Sequence, residues 1–125
     1  MSGPRWLDRT LVWGPRMMLC TNEQQFVNIL KKIGEPRGEF LQDVEGMVTY
    51  TYVTSKGIVC LVCMDLEHWR TQPALQTATV LVHEAVHVWQ RYRDYLGEHT
   101  PSKEFEAYAI ESISRNLMEA YVEVA

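Results

Sequence analysis

The sequence predicts an α+β fold in a single domain over residues 1–125, mainly helical with a small antiparallel β-hairpin or sheet. Three observations lead there. Apolar residues recur at helical spacing over 22–33, from Pro73 to about Leu96, and from Thr100-Pro101 to about Val122. Met47–Thr54 is rich in Val, Thr and Tyr, and Ile58–Met64 is unbroken apolar sequence, as strands are. Between those two runs, Ser55-Lys56-Gly57 has the length and composition of a three-residue hairpin loop.

Each element has its own signals. Residues 1–20 carry Trp6, Leu7, Leu11, Val12, Trp13, Met17, Met18 and Leu19 around Gly14-Pro15, too irregular for a regular element, and read as a packed N-terminal arm. The first helix has Thr21 as its cap with Gln24 three residues on, a stripe of Phe26, Val27, Leu30 and Ile33, and Gly34 as its stop. Gly34 to Gly46, with Pro36 and Gly38, reads as a loop. The second strand lacks polar alternation and should be the more buried of the two. Pro73 occupies a first-turn position of the next helix, which Gly97 terminates. Ile110, Ile113, Leu117 and Tyr121 form the stripe of the last.

Bulk properties exclude several functions. At 125 residues the chain has the usual size of one domain, and 46% hydrophobic with 22% charged residues is an ordinary globular composition, with no repeat or low-complexity tract. A net charge of -4 and a pI near 5.5 offer no broad positive field for nucleic acid or an anionic membrane. No apolar run approaches the roughly 20 residues that span a bilayer, and Met1 to Thr10, with Arg5, Asp8 and Arg9, lacks the apolar core of a signal peptide. A cytoplasmic location is therefore expected. Cys20, Cys60 and Cys63 are odd in number and awkwardly spaced for disulfides, so buried reduced thiols are expected.

One motif carries chemistry: His83-Glu84-Ala85-Val86-His87. Histidines at i and i+4 rise from one helix face a turn apart, so their ring nitrogens can converge on one metal ion, with Glu84 beside them as a general base. Two imidazoles suit zinc, and a catalytic site adds a third protein ligand and a water. The bland alternative is a pair of solvated histidines. On the helical wheel the apolar face runs through Leu81, Ala85, Val88, Trp89 and Tyr92, whereas His83 and His87 lie opposite with Gln76, Gln90 and Asp94, so they are not core residues.

The following helix opens Lys103-Glu104-Phe105-Glu106-Ala107-Tyr108. Together with the histidine motif, it resembles the gluzincin class of HExxH zinc metallopeptidases, whose third ligand is a Glu on a second helix, followed by a small residue three positions on and a carboxylate or amide four positions on. The resemblance implies a minimal zincin-like metallopeptidase domain that holds Zn2+ with His83, His87 and Glu104. Tyr108 stands where that class has Asp or Asn, and Glu111 is the candidate to replace it in orienting the first histidine. Glu106 is the competing ligand, because it falls within the apolar stripe of its helix and a buried Glu needs a charged partner. His68 and His99 are candidates for stabilising an oxyanion. Tyr92, Tyr95, Trp69 and Trp89 are expected to pack. The stretches 81–90 and 101–110 also resemble a group of short phage and prophage proteins, which implies a phage origin, the cytoplasm of a bacterial host, and no particular substrate.

The expected function is zinc-dependent hydrolysis of amide bonds, with Glu84 activating water. By the same resemblance, strand 47–54 lies beside the motif helix and pairs with an extended peptide or protein substrate. So short a chain has only a shallow cleft, whose far wall a homo-oligomer or the protein substrate would supply. The rival is a phage-derived binding protein with a structural or vestigial zinc site.

Overall fold

In a computed structural model of the chain, residues 3–7, 14–41 and 46–125 are described. In chain order the elements are β1 (Arg16–Cys20), α1 (Glu23–Ile33), β2 (Met47–Thr54), β3 (Gly57–Met64), α2 (Leu66–Trp69), α3 (Ala74–Leu96) and α4 (Lys103–Val124). The strands form one sheet in the order β1-β3-β2, with β2 antiparallel and β1 parallel to β3. The fold class is α+β as the sequence predicts, but the sheet is mixed. Part of the expected N-terminal arm is strand β1, and Leu11, Val12 and Trp13 of that arm lie outside the described residues.

The strongest apolar run takes the centre. β3 has a neighbour on each side and helices over both faces, and all of Ile58 to Met64 is buried. Alternation then sorts the side chains. Cys60, Val62 and Met64 of β3, with Met17 and Leu19 of β1, point towards α3 and α4 and meet Leu81, Ala85, Val88, Trp89, Ile113 and Leu117. Val59, Leu61 and Cys63, with Met18 and Cys20, point the other way and meet Phe26, Ile29 and Leu30 of α1. The edge of β1 is partly covered, since Leu7 N–H donates to the Met17 carbonyl at 2.9 Å. β2 is the other edge strand, and its register with β3 runs without a bulge from Met47↔Met64 to Thr54↔Gly57. That register leaves Ser55 and Lys56 as a two-residue loop, one residue shorter than expected.

The helix ends follow from local chemistry, with two corrections. Asn22, not Thr21, caps α1: its side chain accepts from Gln25 N–H at 2.9 Å. Gln25 reaches back in turn, its Oε1 accepting from the Thr21 N–H at 2.8 Å and hydroxyl at 3.1 Å. The arrangement is a variant of a capping box, one residue further along than expected, in which Gln25 returns to the residue before the cap and not to the cap itself. Gly34 and Gly97 end α1 and α3 at φ 79° and 75°, a left-handed conformation that costs glycine little. Pro73 lies just before α3 and not within its first turn. Among the described residues no helix is long and apolar enough to cross a membrane.

All three cysteines are free and fully buried. Burial pushes the Cys60 thiol up to about 11 and, with Cys20 beside it, pushes Cys63 up as well. Two outcomes are expected. Iodoacetamide at pH 8 should leave all three thiols of the folded chain unmodified and alkylate all three after unfolding, as read by mass spectrometry. Because the Cys60 thiol ionises at 9.0 when unperturbed and near 11 in the fold, its contribution to stability is intact below pH 9 and is lost as pH rises towards 11. Denaturant midpoints measured across that range check the second outcome.

Candidate metal-binding and catalytic site

α3 supplies the motif, and its helical twist decides what each motif residue meets. Successive residues lie about 100° apart around the axis, so a 23-residue helix divides into distinct arcs. Leu81, Ala85, Val88, Trp89 and Tyr92 are buried, the apolar face that the sequence predicts. His83, His87, Gln76, Gln90 and Asp94 are exposed, again as expected. Glu84 falls at the border of the buried arc, roughly 60° from His87 by the same rotation.

The two histidines converge. Their Nε2 atoms lie 3.2 Å apart, with the ring planes at 82°. Two nitrogens bound to one zinc at about 2.0–2.1 Å with tetrahedral angles stand about 3.3–3.4 Å apart, so the pair matches two adjacent corners of such a site. On its other side His87 is tied down within α3, Nδ1 lying 3.1 Å from Gln90 Oε1.

Glu84 turns towards the sheet. It is only 4% exposed, and its Oε1 accepts from the Thr49 hydroxyl at 2.8 Å. Thr49 is on edge strand β2, on the same face as Met47 and Thr51, so the alternation of β2 aims its hydroxyl at α3. A carboxylate taken out of water needs hydrogen bonds, and the strand provides one. The sequence places Glu84 beside the first histidine but gives no sign of Thr49. The alternation of Thr49 and Thr51 with Tyr50 and Tyr52 separates the two faces of β2 in the sequence, but it does not say which of them meets the helix.

The carboxylates of α4 lie elsewhere. Glu106 accepts from the Trp89 indole N–H at 2.8 Å and stands 3.7 Å from an Arg93 guanidinium nitrogen. That contact answers the sequence argument that a Glu in an apolar stripe needs a charged partner, and it engages the competing ligand in joining two helices. Trp89 and Arg93 lie roughly 120° around α3 from the histidines, so α4 meets α3 on a different side. Glu104 is exposed in the first turn of α4, with Tyr108 and Glu111 exposed after it. His68 is exposed beside Trp69, and His99 is exposed between α3 and α4. Among the described residues no three His, Cys, Asp or Glu side chains gather where they could hold one metal ion. The structure thus brings together His83, His87 and Gln90, and separately Glu84 and Thr49, and it does not bring Glu104, Glu106, Glu111, His68 or His99 to the pair.

This geometry separates the α4 carboxylates experimentally. Glu106→Ala leaves the buried Trp89 N–H without its acceptor, which costs about 1–3 kcal/mol. The Arg93 contact is about a third exposed and adds little. Its thermal midpoint should fall while zinc affinity stays unchanged. Glu104→Ala should change neither, and a loss of zinc affinity in that variant, measured against a chromophoric chelator, would place α4 at the metal after all. Comparison of the chain with known protein families, with curated proteins and with solved structures finds no match.

Proposed function

We propose that this protein is a zinc-dependent hydrolase acting on amide bonds, with His83 and His87 as metal ligands and Glu84 as the general base. The observation that carries the reading is the 3.2 Å approach of the two Nε2 atoms on one rigid helix. Glu104 enters through the class resemblance, and the reading rests on the histidine pair and Glu84 without it. When bound, zinc would polarise a scissile carbonyl and bring a bound water's ionisation towards neutrality.

The chain's own residues supply the rest. His83 and His87 would hold the ion on the open face of α3. The Glu84 carboxylate, oriented by Thr49, accepts the proton of the attacking water and returns it to the leaving amine. β2 fits the part of a docking strand for an extended peptide, because it is an edge of the sheet and it carries the residue that bonds the base. The setting in this reading is the cytoplasm, that of a bacterial host for a phage-encoded chain.

One observation favours a second reading. With no third ligand gathered among the described residues, the pair also suits a binding protein that keeps a vestigial zinc site. A structural staple is the weaker form of that idea, because both histidines belong to one helix and a metal held by them alone cross-links nothing.

Glu84→Gln separates these readings. Gln keeps an oxygen for the Thr49 hydroxyl, so fold and zinc content should be retained, while peptide cleavage falls about a hundredfold to ten-thousandfold with the base removed. His83→Ala should lose zinc and, with it, the stability that the bound metal confers. The comparison uses zinc content, melting temperature and cleavage of a peptide library. A wild type that binds zinc but cleaves nothing supports the binding protein, and a Glu84→Gln variant as active as wild type removes Glu84 from the mechanism.

A further inference from the structure

Gln90 stands one turn beyond His87 on the exposed face of α3, with its Oε1 3.1 Å from His87 Nδ1. An amide oxygen has no hydrogen to give, so the contact is a hydrogen bond only when Nδ1 carries the imidazole proton. Nε2 of the neutral ring then keeps its lone pair, and Nε2 is the atom that faces His83 Nε2 at 3.2 Å. The Gln90 contact therefore selects the tautomer in which a neutral histidine can ligate through Nε2, and the His83 contact is compatible with it, His83 Nε2–H donating to the His87 lone pair when no metal is bound.

We infer that Gln90 is a positioning residue for a metal ion, fixing His87 in its Nδ1–H tautomer and turning Nε2 towards the partner histidine. The inference rests on the reading of His83 and His87 as ligands. Water could occupy the same hydrogen-bonding position, but it would not hold the ring. Gln90 is anchored to the same helix as both histidines, so the three side chains form a unit that needs no other element to assemble it. Such outer partners of metal-binding histidines set ring orientation and ligand basicity, and losing one typically weakens metal affinity about tenfold to a hundredfold. Gln is neutral, so it fixes the tautomer without adding charge. A carboxylate in its place would hold the same proton and make the ring a stronger donor.

The test compares wild type, Gln90→Ala and Gln90→Glu, with Gln76→Ala as a control at another exposed position on α3. Zinc affinity is read by competition with a chromophoric chelator at one fixed pH, and the His87 tautomer by nitrogen NMR of the zinc-free protein. Gln90→Ala should bind zinc about tenfold to a hundredfold more weakly and lose the dominance of the Nδ1–H tautomer. Gln90→Glu should bind at least as tightly as wild type, and Gln76→Ala should match wild type in both readouts. Melting temperature should hold in Gln90→Ala, because Ala is a strong helix former and the side chain removed is exposed. Absence of zinc binding by the wild type overturns the ligand reading itself. Wild-type binding that Gln90→Ala leaves unchanged, or a wild-type His87 protonated on Nε2, overturns the role of Gln90 alone.

Discussion

Helix α3 has to satisfy a sheet, a neighbouring helix and the solvent at once, and the fixed rotation between its residues decides which side chain goes where. Leu81, Ala85, Val88 and Tyr92 enter the core, Trp89 and Arg93 meet Glu106 of α4, and Glu84 reaches Thr49 of β2. His83, His87 and Gln90 are left to solvent. None of these arcs can be adjusted alone. Turning α3 by a single residue would carry Glu84 away from Thr49 and drive apolar side chains into water, and a buried carboxylate without partners is among the costlier errors a fold can contain. The exposure of the histidine face is thus secured by packing on the far side of the same helix.

Two acidic side chains show how that constraint is met. Glu84 is buried against a neutral hydroxyl, whereas Glu106 is partly exposed between an indole N–H and a guanidinium. The second arrangement joins α3 to α4. The first joins α3 to the sheet at its open edge. The two carboxylates thus tie α3 to different neighbours, Glu84 to β2 and Glu106 to an indole and a cation shared between two helices.

Much of this was legible in the sequence because it depends on period and punctuation. The 3.6-residue repeat of α3 and α4, the glycine stops at Gly34 and Gly97, and the apolar run of β3 are local signals, and each element is found within a few residues of its expected bounds. The exposure of His83 and His87 followed from the same wheel. β1 was not legible: Arg-Met-Met-Leu-Cys is short and has no β-branched residue, and it becomes a strand only because the already paired β3 offers it an edge. The Thr49 contact with Glu84 spans 35 positions and depends on how a strand and a helix dock, which no local pattern encodes. The position of α4 is of the same kind. Its stripe was readable, but the side of α3 it occupies depends on how the two helices dock, through the shared core and the contacts of Glu106 with Trp89 and Arg93.

The openness of the histidine face bears on the electric field a substrate would meet. Charges and dipoles act weakly where water surrounds them and several times more strongly where it is excluded. A histidine pair on an exposed helix surface begins in the wet limit, while Glu84 a short rotation away already sits in a drier one. Chemistry at this place would gain strength only as something covers it. The identity of the covering molecule, more than the residues beneath it, would then set both rate and selectivity, and small solutes that leave the face hydrated would be poor substrates whatever bond they offer.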